Sequence, residues 1–258
     1  MKDNRDLVSS QFGAHAEQYV TSAHHVKGES LDRLLALLAP RADWRVLDVA
    51  TGGGHTALAF APHVREVVAT DLTPEMLQAA EAFIRSRGIT NVQFREADAT
   101  ALPFADAEFD LVTCRIAPHH FGDCASFVLE MARVLRPGGV AAVVDNVVPE
   151  RAEAAEFINR LEKIRDPSHN RALPEREWVA LYRSAGFEIF AVERFRKAIG
   201  FDLWAGMKSM DEATKEQLRG MLLDAPPSAR EALAPGVKEG RLRFHLDEVL
   251  IAGRRPTA

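Results

Sequence analysis

The stretch VLDVATGGG, residues 46–54, places a carboxylate, Asp48, near the end of a short apolar run and a glycine cluster directly after it. Glycine permits a tight turn and a close approach of ligand to backbone, and the helix start that follows offers unpaired N–H groups. Gly52-x-Gly54-x-x-Ala57 meets the relaxed form of the dinucleotide fingerprint, and Asp71 stands about 20 residues on, where it could accept ribose hydroxyls. On spacing alone NAD binding stays open, and an oxidoreductase with it. A second set of reactive side chains is Pro118-His119-His120-Phe121; a histidine near its free pKa removes a proton from a phenol, an enol or an activated carbon. The third is the polar run RDPSHNR, residues 165–171, in which Arg165 and Arg171 could grip a carboxylate or phosphate. Its other reading is a solvated loop with Asp166 capping the next turn. His119, His120 and His169 are the candidate catalytic side chains.

These groups have to be held by an alternating frame. Short apolar runs at 45–50, 66–71, 91–98, 109–114 and 140–147 read as strands, separated by helical patterns at 55–63, 74–88 and 127–139. Pro74 suits a first helical turn with Thr73 as N-cap, and Gly88 and Gly138 mark helix ends. Runs of this kind imply a mostly parallel sheet covered on both faces. Helices near 150–165 and 174–186 follow, then strands at 187–194 and 244–252. Residues 199–240, broken by Pro226, Pro227 and Pro235, read as a helical insertion capping the carboxyl ends of the strands. The expected architecture is an α/β, Rossmann-like, seven-stranded sheet: helices over 1–40, a core over 41–198, the insertion over 199–240 and a final core strand over 241–258.

Bulk properties narrow the partners. At 258 residues one full core can form without disulfide or metal staples. A net charge of -5, with 32 Lys+Arg against 37 Asp+Glu and no basic block, argues against nucleic acid. No apolar run reaches spanning length and the first residues lack a signal pattern, so a cytoplasmic monomer or homodimer acting on a small molecule is expected. Cys114 and Cys124 are too few for a disulfide framework or thiolate site. His24-His25, His119-His120, His169 and Asp145 lack metal-ligand spacing, so no metal is expected.

The glycine turn does not stand alone. VLDVATGGGHTA, VVATDLTPEMLQAA, READATALPFADAEFDLVTCRIAPHHF and RVLRPGG, in this order over about residues 40–150, closely resemble the class I methyltransferases, in the group that includes ubiquinone and menaquinone C-methyltransferases. The family usually has glycine where this chain has Ala50. The resemblance implies S-adenosylmethionine (SAM) as cofactor and residue roles to match. Asp71 would take the ribose hydroxyls, and Asp98 with the Ala99 amide the adenine edge, between Leu72 and Leu102. Asp48 would lie beneath the methionine moiety, lined by Ala50, Thr51 and Gly52, with Gly54 in the turn, Met76 beside the cofactor and Arg115 at the methionine end. QFGAHAEQYVTSAHH resembles the family's lid helix, in which Tyr19 approaches the donor and His24 or His25 the acceptor. RDPSHNR looks like a segment shared by one subset of relatives, which turns Arg165 and Arg171 toward substrate. Phe12, Phe201, Trp204 and Met207 would supply apolar acceptor surface. Methyl transfer from a sulfonium needs alignment and exclusion of water, with a base only where the nucleophile starts protonated. The implied activity is methylation of carbon or oxygen on a small, ring-containing metabolite; the alternatives are an NAD-dependent oxidoreductase and a non-catalytic SAM-binding protein. After residue 150 the signatures of the quinone enzymes do not match well.

Overall fold

Five parallel strands form one side of the sheet: β1 (Arg45–Val49), β2 (Glu66–Asp71), β3 (Val92–Glu96), β4 (Phe109–Arg115) and β5 (Leu135–Val147); β1, β2, β4 and β5 are mostly buried, as strands covered on both faces are, and β3 is the half-exposed edge. The computed structural model describes Leu7, Phe12, residues 29–206 and residues 210–257. Tyr19, His24, His25 and Met207 lie outside the described residues.

Helices α1 (Glu29–Leu38), α2 (His55–Phe60) and α3 (Pro74–Ser86) cover one face of the sheet, where Leu34, Phe60 and Ile84 bury against Val46 and Val67. Their apolar residues fall at helical spacing, as in Met76, Leu77, Ala80 and Ile84 of α3. On the opposite face, α4 (Cys124–Val134) and α6 (Glu175–Ser184) bury Phe127, Met131, Trp178 and Tyr182 against Leu47 and Val112. Between them in sequence runs α5 (Ala152–Arg165).

Strand order is β3-β2-β1-β4-β5-β8-β6, with β6 (Glu188–Gly200) and β8 (Arg241–Arg254) antiparallel to each other. This seven-strand path carries the expected Rossmann-like arrangement, and an eighth strand, β7 (Gly236–Lys238), adds a short hairpin to β8. The order reverses between β1 and β4, so a crevice opens there at the carboxyl ends. The inserted helices α7 (Phe201–Gly206), α8 (Glu212–Leu223) and α9 (Pro227–Leu233) start at the carboxyl end of β6 and pack with α5 and β8 around a third apolar cluster.

Three local expectations need correction. The helix before β5 ends at Val134, not Gly139: Pro137 has no N–H to continue it, Gly138 is left-handed at φ 78, and this stretch exchanges backbone hydrogen bonds with Arg255. Gly138 therefore lies inside β5. Thr73 occupies the N-cap position of α3, but its hydroxyl makes no capping bond, whereas Asp123 caps α4 by accepting from Ala125 N–H and Ser126 N–H.

Candidate active site

A cavity of about 460 Å³ opens at the crevice beside β1. Its floor is the turn after β1. Gly52 adopts φ 54 and Gly54 φ 79, and a Cβ on Gly54 would stand 2.9 Å from Ile84 Cδ1, so the turn needs glycine there to seat α2 against α3. Gly54 itself does not line the cavity; Ala50, Thr51 and Gly52 do. Ala50 keeps the left-handed conformation, φ 53, that glycine adopts without strain.

Asp71 ends β2 and faces the cavity, with Gly52 N–H donating to it at 2.9 Å and Thr73 N–H at 3.0 Å. Burial raises its pKa, and these backbone bonds oppose the rise. Asp98, after β3, also faces the cavity and accepts from the Thr100 amide and hydroxyl, both at 2.8 Å. Leu72, Met76 and Ala99 complete this end. Leu102 does not line it. Its side chain is in the core, its N–H donates to Glu130, and its carbonyl accepts from Arg133.

Asp48 sits below the cavity wall, 1% exposed, accepting from the Thr51 hydroxyl at 2.6 Å and the Thr113 hydroxyl at 2.9 Å. Burial pushes its pKa up to about 6 despite those bonds and the positive charge of Arg115. Arg115 is itself buried and lines the cavity; its Nε donates to Thr56 Oγ1 at 3.2 Å, and burial lowers its pKa against the pull of Glu248 and Asp48. Ile116 follows with φ 55, a conformation a β-branched side chain rarely adopts, and also lines the cavity.

The other end of the cavity is formed by Phe12, His120, Phe121 and Gly122. The three histidines proposed as catalytic cluster together, with ring centroids of His119 and His120 4.2 Å apart and His119 and His169 5.4 Å apart, yet only His120 of the three lines the cavity. His119 Nδ1 meets Asp145 Oδ1 at 2.6 Å in the core. Burial disfavours its charge, but the Asp145 carboxylate reverses the effect and raises its pKa. Burial drives the His169 pKa down to about 3, and its Nε2 meets Asn159 Oδ1 at 2.8 Å.

The RDPSHNR segment is not a solvated loop: Asp166, Ser168 and His169 are all buried. Arg165 stacks over Trp204, its Cζ 5.1 Å from the ring centroid, and pairs with Glu162; Arg171 pairs with Glu177 at the surface. Arg165, Arg171 and Trp204 do not line the cavity, because Trp204 belongs to the cluster with Phe201 and Phe244. Both cysteines are free, and burial pushes their thiols up, Cys124 to about 12, which leaves neither poised as a nucleophile. Among the described residues no group of three or more His, Cys, Asp or Glu side chains could hold a metal ion, and no helix is long and apolar enough to cross a membrane. The sequence reading did not single out Thr56 and Ile116, which also line the cavity; Ile116 lies three residues before the histidine pair.

Two carboxylates at the tips of adjacent strands, a glycine floor and an apolar far end define a class I SAM-dependent methyltransferase. Residues 47–143 match the family model described as methyltransferase domain, and the chain belongs to this family. Bacillus subtilis methyltransferase YcgJ is 35% identical over 244 residues, 94% of this chain and 96% of that protein. Its crystal structure superposes with a TM-score of 0.85 over 89% of this chain and 99% of that one. A Bacillus halodurans crystal structure, 40% identical, gives the same TM-score over 89% of this chain and 100% of that one. Demethylmenaquinone methyltransferase of Thermus thermophilus is 40% identical over 121 residues, 46% of this chain and 54% of that enzyme. The glycine spacing therefore serves SAM rather than NAD, and the chain is an enzyme that methylates a small metabolite.

The donor set suits SAM. Asp71 and Asp98 present acceptors for hydroxyl and amine groups, and the glycine backbone leaves room where side chains would fill the floor. Asp48 adds a buried carboxylate behind the turn, where it accepts from the Thr51 hydroxyl.

Proposed function

We propose that the enzyme transfers the methyl of SAM to a carbon or oxygen of a small, ring-containing metabolite that must lose a proton in the reaction. The observation that carries this is the cavity's division into two chemistries. One end has Asp71, Asp98 and Leu72 for an adenosine; the other has His120 between aromatic rings, Phe12 lying edge-on at 5.1 Å. A flat acceptor suits such walls, and the Thermus relative's name places its own acceptor among quinone precursors. When bound, SAM supplies an activated methyl whose C–S bonding electrons leave on sulfur as the acceptor's electron pair forms the new bond. His120 takes the acceptor proton and returns it to solvent, Arg115 faces the methionine end, and the aromatic walls exclude water.

The test is transfer of labelled methyl from SAM to a panel of phenols, naphthols and enolisable diketones, with mass-spectrometric identification of products. Methylation of at least one ring compound, lost in His120→Gln while S-adenosylhomocysteine still binds, supports the reading. Transfer only to amines or thiols, or undiminished transfer by the variant, overturns it.

A further inference from the structure

A second cavity, of about 510 Å³, opens at the carboxyl end of β6, and among the described residues it shares no lining residue with the cofactor crevice. β8 runs between β6 and β7 here, with Gly200 of β6 on one side of Arg243 and Gly236 of β7 on the other. Alternation along β8 sends Leu242 and Phe244 into the third apolar cluster, so Arg241 and Arg243 stand on the opposite face, where both are exposed. A Cβ on Gly200 or Gly236 would meet nothing within 4 Å, so the space on each side of Arg243 is open. Phe201, Asp202 and Leu203 of α7 form the other wall.

The positive charge gathered there is not matched within the chain. Lys238 lies directly across from Arg241 in the β7–β8 pair, and like charges so placed repel. Among the described residues, no carboxylate pairs with Lys238, Arg241 or Arg243. Two neighbours carry the opposite charge: Glu239 in the hairpin turn, and Asp202 in the cavity wall, which Arg219 pairs at 3.2 Å. The three cations therefore leave a local surplus on a chain whose net charge is -5. Arg241 and Arg243 stand two residues apart on one strand face, roughly 7 Å at the backbone. Two guanidinium forks at that spacing can converge on one tetrahedral anion, and a phosphate has oxygens for both; a lone carboxylate is filled by one fork.

We infer that this cavity is a phosphate-binding site, in which Arg241 and Arg243 grip the phosphate oxygens and Lys238 adds charge at the rim. The chemistry recognised is a terminal phosphate, carried either by a soluble phosphorylated compound or by a phospholipid headgroup such as that of phosphatidic acid. Leu203, 61% exposed in the wall, gives a lipid an apolar neighbour. The site is separate from methyl transfer: β5 and β8 lie between it and the crevice beside β1 and β4.

The experiment follows two probes on the full-length protein. Inorganic phosphate is titrated while arginine Nε–H signals are read in ¹H–¹⁵N spectra, with Arg241 and Arg243 assigned by the signals that Arg241→Gln and Arg243→Gln each lose. Sedimentation with phosphatidylcholine vesicles, with and without phosphatidic acid, supplies the other arm. Saturable binding of inorganic phosphate, or of the phosphatidic acid vesicles over the plain ones, is expected; the first alone points to a soluble ligand and the second alone to a headgroup. Arg241→Gln combined with Arg243→Gln should weaken that binding about tenfold or more. Arg160→Gln combined with Arg183→Gln removes the same charge from exposed residues of α5 and α6 and should leave it within about twofold. An S-adenosylhomocysteine affinity equal to the parent's verifies the fold of each variant. Should the first pair not fold, Arg243→Gln alone decides, with an expected loss of about threefold or more. Binding of neither probe, binding undiminished without these arginines, or equal loss in the two double variants overturns the inference.

Discussion

Asp145 Oδ1 and His119 Nδ1 lie 2.6 Å apart in the core, and that contact separates the work of two adjacent histidines. The Asp145 carboxyl is fully buried, and its second oxygen has no hydrogen-bond partner among the described residues. His119 Nδ1 meets the other oxygen, and the Asp145 carboxylate raises the His119 pKa against the effect of burial. This imidazole does not line the cavity. The pair anchors the Pro118–His120 turn to β5, so that the next residue, His120, emerges at a fixed place.

Replacing His119 with Ala leaves Asp145 buried beside a void. Removing one partner of such a pair typically costs about 3–5 kcal/mol, which in a chain of this size lowers Tm by roughly 10 °C. Joint replacement, His119→Gln with Asp145→Asn, retains a neutral hydrogen bond and should recover at least half of that loss. Calorimetric melts of the single and double variants check both statements; a single variant as stable as the parent would refute them.

Asp71 joins the floor of the cavity to the start of α3 through Gly52 N–H and Thr73 N–H. Truncation to Ala removes a charged acceptor worth about 1.5–3 kcal/mol to a bound ribose. Affinity for S-adenosylhomocysteine should fall about tenfold or more, read by titration calorimetry. Asp71→Asn preserves an acceptor oxygen and should lose less. Equal affinity in the parent and Asp71→Ala would remove this carboxylate from the cofactor site.

The frame from β1 to α3 was legible because each signal was local: a β-branched run, a glycine turn, a proline at a helix start. Asp71 followed from its spacing to the glycine turn and its place at a strand end, and Asp98 from the family resemblance. Contacts made across the chain were not legible. His120 and Ser168 are separated by β5 and α5, and no periodicity announces that their side chains meet. Trp204 has the composition of a cavity wall, but composition does not tell one apolar cluster from another, and it packs with Phe244. Leu102 reads as a flank of the adenine site, yet its backbone is tied to Glu130 and Arg133 and its side chain joins the core. Ile116 runs against local preference altogether: a β-branched residue at φ 55 is held there by the bond from its N–H to Val144 O.

Gly54→Ala tests the turn without touching the cavity. The added methyl would lie 2.9 Å from Ile84 Cδ1 and 3.1 Å from Ala80 Cβ, at a backbone φ of 79. Overpacking and left-handed strain together should destabilise by about 2–4 kcal/mol, measured by urea unfolding. Adding Ile84→Val removes the nearer contact and leaves the backbone strain, so it should restore only part of the stability. Full restoration would show that the backbone conformation carries no cost.

Asp48 links the electrostatics of the site to stability. Its folded pKa of about 6 lies above the ordinary 3.8, because burial outweighs its hydroxyl bonds. Below the unfolded value both states hold the proton and no penalty exists. Between the two values the folded state keeps a proton the unfolded chain has released, so stability falls as pH rises; above the folded value the penalty is complete, about 3 kcal/mol. Asp48→Asn keeps an oxygen for Thr51 and Thr113 and removes that penalty, while Glu248 continues to face Arg115. Its stability advantage over the parent should therefore grow from about pH 4 to about pH 7 and then level off in urea unfolding. Its affinity for SAM should drop more than its affinity for S-adenosylhomocysteine, since only the sulfonium is positively charged. A pH-independent stability difference would mean that Asp48 is not the buried acid described, and an equal loss for both ligands would place the sulfonium elsewhere.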